Sequence, residues 1–144
     1  KFILIGPNGS GKKSLAIAFA KEINVPIVIV SIELMIGNSE NATEKILKNI
    51  YKTCNKLYKT YGNCVIYYDK FIYLNADIDG DSSSDTIYIS SIFANMIKQH
   101  PHIITFAGTP NSAFYGFFFE EGLFEKKILL KEVSTATSKG APQW

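Results

Sequence analysis

At 144 residues, 47% of them hydrophobic and 19% charged, the chain has the size and composition of one ordinary globular domain with a core of its own. A net charge of +2 is too small to argue for a nucleic-acid partner. No apolar run approaches the ~20 residues that span a bilayer, so direct membrane insertion is not expected. All fifteen basic residues are lysine, so no bidentate guanidinium is available anywhere in the segment. Cys54 and Cys64 are two isolated thiols, neither a disulfide framework nor a zinc site, and a reducing intracellular compartment is the default. The chain opens in mid-strand without an initiator Met and is expected to be a piece of something longer.

Phe2 to Ile5 is a short apolar run that ends at a glycine-rich turn, and reads as a buried strand. Lys12 to Ile23 has helical spacing, with Leu15, Ala16, Phe19 and Ile23 on one face. The β-branched run Pro26 to Ser31 reads as a second buried strand. A link containing Gly37 leads to a long helix over roughly 39–59. Asn41 with Glu44 resembles a capping box, with Asn38 or Ser39 as alternative N-caps. Cys64 to Tyr68 is a third buried strand, and the polar, acidic stretch 75–85 is an exposed loop. Helical spacing returns over 87–98, a fourth strand covers 102–107, a short helix is expected near Ser112, and 127–130 reads as a fifth strand. Strands alternating with helices and no internal repeat imply an α/β fold, a five-stranded parallel sheet with helices on both faces. Residues 1–133 form the expected domain. Residues 134–144, small and polar, are expected to be disordered or to begin a further lid.

The strongest motif is Gly6-Pro7-Asn8-Gly9-Ser10-Gly11-Lys12, which is G-x-x-x-x-G-K placed between a strand and a helix. Glycines let the backbone curl so that its N–H groups meet phosphate oxygens, the helix adds its positive end, and Lys12 supplies a point charge. ATP or ADP is therefore the expected ligand, and the fold expected is that of the P-loop NTPases, a three-layer sandwich. One position departs from the motif. Lys13 stands where a serine or threonine would ligate magnesium, and an ammonium has no lone pair to offer. Ser14 carries a hydroxyl, but one residue along a helix is a rotation of ~100°, so it is expected to point elsewhere. Whether magnesium accompanies the nucleotide is left open.

Such an enzyme also needs carboxylate at the tip of a neighbouring strand. The third strand ends in Asp69-Lys70, one acid where two are usual. Either Asp69 is the metal-side acid and Lys70 replaces the second, or Asp69 is the second and Tyr68 replaces the first. Half of the catalytic pair is missing in both registers.

Taken together, residues 1–133 resemble the large subdomain of the AAA ATPases. Met35-Ile36-Gly37-x-Ser39-Glu40, within a segment that falls where the family has its pore loop, is similar to the second ATPase domain of the N-ethylmaleimide-sensitive fusion proteins, the vesicle-fusing ATPases. That resemblance implies a homo-hexameric ring, in the cytoplasm and peripheral to secretory-pathway membranes, that disassembles SNARE complexes with an adaptor. It implies that this domain binds ATP for assembly more than it hydrolyses it. The residues carried over are Gly6, Gly9, Gly11 and Lys12 for phosphate, Asp69 for the acidic strand and Lys98 as a cation near a phosphate. Thr109 or Asn111 falls where the family holds its attacking water, and 122–126 offers no arginine finger. The alternatives are an active ATPase of another AAA protein and a nucleotide-free assembly domain. Intact glycines and Lys12 argue against the last; Lys13, the single acid and the missing arginine argue against the first.

Three further signals are discounted. Asn75-x-Asp77-x-Asp79-Gly80 begins like a calcium loop, but its twelfth position is Thr86 and not a bidentate glutamate. The aromatic run 114–119 reads as packing or interface. His100 and His102 flank Pro101 with no cysteine or acid nearby to complete a metal site.

Overall fold

A computed structural model describes residues 1–35, 40–70, 84–110 and 124–130. The elements in chain order are β1 (Phe2–Ile5), α1 (Lys12–Glu22), β2 (Ile27–Ser31), a 3-10 turn (Ile32–Leu34), α2 (Glu40–Tyr61), β3 (Val65–Asp69), α3 (Ser84–Gln99), β4 (Ile104–Thr109) and β5 (Lys126–Leu129). The strands form one five-stranded sheet in the order β2-β3-β4-β1-β5. Every pairing is parallel, with Ile3 opposite Ala107 and Lys127, and Val30 opposite Tyr68. The expected α/β sandwich is the one observed.

Alternation along the strands sorts the apolar side chains into two layers. Ile3, Ile5, Ile66, Tyr68 and Ala107 pack with Leu47, Tyr51 and Cys54 of α2 and with Phe93, Met96 and Ile97 of α3. On the opposite face Leu4, Val65, Tyr67 and Phe106 pack with Ala16 and Ala20 of α1. Because β3 and β1 are interior strands, they read as continuous apolar runs. Phe2 stacks on Phe106 with ring centroids 5.0 Å apart, and Phe19 meets the same ring edge-on at 5.3 Å.

Several local expectations are corrected. The buried stripe of α1 runs through Ala16 and Ala20 with Phe19 beside it, whereas Leu15 and Ile23 are 37% and 39% exposed. Small residues let the helix lie close to the sheet, and that sets its rotation. Strand β2 is an edge strand, so Ile29 stays 45% exposed. Asn41 lies inside α2 rather than at its N-cap, and Glu44 pairs with Lys48 at 3.2 Å along the helix surface instead of closing a capping box. Helix α3 begins three residues earlier than expected, at Ser84. The 3-10 turn after β2 was not foreseen.

Cys54 and Cys64 are both free and buried, and they touch across the α2–β3 interface, where hydrogen bonding to Cys64 together with burial raises the Cys54 thiol's pKa. His100 stacks on Tyr51 at 4.2 Å, and His102 Nε2 meets Asn55 Oδ1 at 2.7 Å, so both histidines pack on α2. No group of three metal-ligating side chains occurs among the described residues, and none of their helices is long and apolar enough to cross a membrane. The acidic loop over 75–83, the link at 36–39, the short helix near Ser112, the aromatic run and the tail from 131 onward lie outside the described residues.

The two leucines of the α1 layer separate the observed helix rotation from the expected one. Leu4 is fully buried and Leu15 is not. Leu4→Ala is expected to cost about 2–5 kcal/mol in urea denaturation, and Leu15→Ala about 0.5 kcal/mol or less. Equal losses would place Leu15 in the core.

Candidate functional site

The loop from Gly6 to Gly11 joins β1 to α1 at the carboxyl end of the sheet, and neighbouring strands brace its root. Gly6 N–H donates to the Thr109 carbonyl at 3.1 Å, and Leu130 N–H donates to the Ile5 carbonyl at 2.7 Å. Ser10 N–H closes a turn onto the Pro7 carbonyl at 3.1 Å. Gly9 and Gly11 have φ of 83° and 91°, the left-handed region where a side chain is strained, so the curl of the loop depends on glycine there. Gly11 is the N-cap of α1, and no side chain caps the helix. The positive end of α1 is thus presented at the loop without an internal anion to satisfy it.

Lys12 folds back over the loop. Its ammonium donates to the Gly6 carbonyl and, at 3.1 Å, to the Pro7 carbonyl. Burial lowers its pKa below that of an ordinary lysine, and the Asp69 carboxylate across the cleft pulls the other way. Ser10 turns inward, and its buried hydroxyl has no hydrogen-bond partner among the described residues.

In front of the loop lies a cleft of about 450 Å³. The loop contributes Asn8, Gly9 and Gly11, and the first turn of α1 contributes Lys12, Lys13 and Ser14. The ends of β3 and β4 contribute Tyr67, Asp69, Lys70, Gly108 and Pro110. Of the predicted phosphate residues, Gly6, Pro7 and Ser10 build the turn behind the cleft and the other six border it. Ser14 lies on the first turn of α1 and borders the cleft along with Lys13.

The register of the acid follows from strand alternation. Val65 and Tyr67 point to the α1 side, and Asp69 continues that row into the cleft. Tyr68 points the other way, is fully buried, and hydrogen-bonds Tyr51 through the two hydroxyls. Position 69 therefore presents its group to the loop and position 68 does not. Lys70 follows in the left-handed region at φ 57°, a conformation that costs a non-glycine residue about 1–2 kcal/mol. Its ammonium borders the cleft and pairs with Glu33 of the 3-10 turn at 2.7 Å.

Lys98 does not border the cleft. It lies in the last turn of α3, at the end of the sheet from which β4 starts, while the loop lies where β1 ends. A helix that returns antiparallel to the strands puts its last turn there. Thr109 is fully buried and gives its carbonyl to Gly6, and Asn111 and 122–123 lie outside the described residues.

Two residues missed in the sequence shape the floor of the cleft. Tyr67 lies across Gly108, where an added Cβ would collide with the phenol oxygen. Its hydroxyl donates to Asp69 Oδ1 at 3.5 Å. Burial, followed by the nearby carboxylate, raises the phenol's pKa, so it stays protonated and able to donate. The signal was Tyr67 two residues before Asp69, a spacing that puts both on one side of a strand.

A parallel sheet of this order, a G-x-x-x-x-G-K loop between β1 and α1, and a carboxylate at the tip of β3 define a P-loop nucleotide-binding fold. Residues 2–117 match the ATPase family associated with various cellular activities (AAA), and the chain belongs to that family. It is 34% identical over 70 residues to an ATP-dependent zinc metalloprotease FtsH homolog of Oltmannsiellopsis viridis, a match covering 47% of this chain and 3% of that protein. It is 25% identical over 83 residues to the ribosome biogenesis ATPase RIX7 of Saccharomyces cerevisiae, covering 58% of this chain and 9% of that protein. The matched stretch is thus a small part of either relative.

Tyr67 and Gly108 should couple. Gly108→Ala is expected to destabilise by about 1–3 kcal/mol through overpacking, and by less in a Tyr67→Val background, in a double-mutant cycle read by urea denaturation. Additive losses would mean that the two residues do not share this contact.

Proposed function

We propose that the cleft binds ATP or ADP through its phosphates, and that the domain uses bound nucleotide to hold a ring of AAA subunits more than to turn it over. The observation that carries this reading is the arrangement of Lys12. Its ammonium rests on the carbonyls of Gly6 and Pro7 at the mouth of a loop shaped by Gly9 and Gly11, beside the uncapped start of α1. Phosphate oxygens arriving there would replace the two carbonyls as acceptors, with charge on both partners. Membership of the AAA family supports nucleotide binding and a hexameric ring.

Slow turnover is argued from what the cleft offers. Asp69 is the one carboxylate that borders it among the described residues, and Lys70 follows where a second acid would be useful. The chain contains no arginine, so a ring of identical copies of this segment has none to lend across its interfaces. A more specific reading places the ring in SNARE disassembly with an adaptor, at secretory-pathway membranes. Its ground is the Met35-Ile36-Gly37-x-Ser39-Glu40 run, together with the positions of the strands on either side of it. Met35 itself is buried in the core. The two relatives carry other names, a metalloprotease homolog and a ribosome biogenesis ATPase.

Lys12→Ala is expected to abolish most binding of ATP and ADP in calorimetric titration, since it deletes the ammonium at the loop. Unchanged affinity would remove the site assignment. Single-turnover hydrolysis is expected to be slow, because an arginine finger alone is worth ~10³–10⁵ in rate where one is used. A rate typical of active P-loop ATPases, ~1 s⁻¹ or faster, would refute slow turnover while leaving binding intact.

A further inference from the structure

The AAA family ordinarily implies a magnesium ion beside the nucleotide, and the donor set of this cleft does not fit one. Magnesium takes oxygen ligands, most often one or two carboxylates together with phosphates and waters. Asp69 is the sole carboxylate bordering the cleft among the described residues, and the Tyr67 hydroxyl directs one long hydrogen bond, 3.5 Å, at its Oδ1. That hydroxyl is held in place sterically. The phenol sits over Gly108, in space that any other residue's Cβ would fill. The residue after Lys12, where a hydroxyl would reach the ion, is Lys13, and it borders the cleft. Lys70 adds a third ammonium, tethered to Glu33 at 2.7 Å. Three lysines therefore border the cleft, and with Lys70 paired to Glu33 the ammonium groups of Lys12 and Lys13 stand against the single carboxylate of Asp69. A divalent cation is repelled by such a wall, and a polyanion is attracted to it.

We infer that this cleft takes the phosphate chain of a nucleotide on Lys12 and Lys13 directly, without a divalent cation, and that the Tyr67 hydroxyl competes with a cation for Asp69. The inference rests on the reading of the cleft as a nucleotide site. Lys13 is exposed on the first turn of α1 and borders the cleft beside Lys12, so a phosphate chain held by one ammonium lies within reach of the other. Tyr67 is a positioning residue: it acts on the phosphates only through Asp69.

The test is a titration of the purified protein with ATP in excess chelator and again in millimolar magnesium, at two salt concentrations. Affinity in chelator is expected to equal or exceed that in magnesium, to within about twofold, and to fall with salt as an exposed ionic contact does. Lys13→Thr is expected to weaken binding in chelator by about tenfold, the loss of one partly screened charge contact worth ~1.4 kcal/mol, and to gain affinity when magnesium is added. Tyr67→Phe keeps the ring over Gly108, removes the hydroxyl, and is expected to introduce a smaller magnesium response. A gain of tenfold or more on adding magnesium to the unmutated protein would overturn the inference while leaving nucleotide binding in place. Lys13→Thr binding as tightly as the parent in chelator would overturn it too. Absence of binding under both conditions, with the urea transition intact, would overturn the nucleotide reading itself and this inference with it.

Discussion

Strand β3 is buried on both faces, so each of its residues is committed to one side or the other by its position alone. Ile66 and Tyr68 belong to the α2–α3 layer; Val65, Tyr67 and Asp69 belong to the α1 layer, where the loop lies. Shifting the strand by one residue would send a carboxylate into the layer that holds Tyr51 and Phe93, and would bring an aromatic ring to the loop instead. Burial of an unpaired charge there is costly enough to forbid that slip. The core therefore fixes which single group can face a ligand, and the chemistry of the cleft inherits that choice.

The loop depends on the same sheet from another direction. Its root is bonded to β4 through Gly6 and Thr109 and to the segment after β5 through Ile5 and Leu130, so its position is set by strands far away in sequence. Within that frame the loop needs only local devices: two left-handed glycines, one turn, and a lysine folded over two carbonyls. The strands supply stability, and the loop supplies unsatisfied donors. Placing those donors at the end of a rigid parallel sheet keeps them aimed at the cleft whether or not anything occupies it.

What the sequence made legible follows this division. The loop, its lysine and the strands on either side are recorded in short contiguous runs, where spacing carries the physics, and they stand where expected. The single acid was legible, but its register was not, because the choice between positions 68 and 69 is made by the layers packed on β3. Tyr67 over Gly108 was missed because it joins two strands separated by about forty residues, and only their parallel register brings the ring across the glycine. Lys98 was carried over by resemblance, and the chain direction puts the end of α3 at the end of the sheet where β4 starts, away from the loop. The rotation of α1 was misjudged for a simpler reason. Periodicity marks which residues share a face, but close approach to a sheet favours alanine over leucine at the contact, and hydrophobicity alone ranks them the other way.

The departures from the motif differ in how tightly the fold holds them. Lys13 and Lys70 are exposed side chains at the rim, so neither is demanded by packing, and exchanging either for a smaller polar residue would disturb few contacts. Tyr67 is another matter. It is buried, it occupies space that exists only because residue 108 is glycine, and its hydroxyl is engaged with the acid. Replacing it with a small aliphatic residue would leave a void beside Gly108, and replacing Gly108 would collide with the ring. The rim can therefore change its charge one residue at a time, whereas the floor must change as a pair. A cleft built this way retains its phosphate cradle through changes of charge at the rim, because the cradle's glycines, backbone bonds and Lys12 belong to the loop, and Lys13 and Lys70 do not.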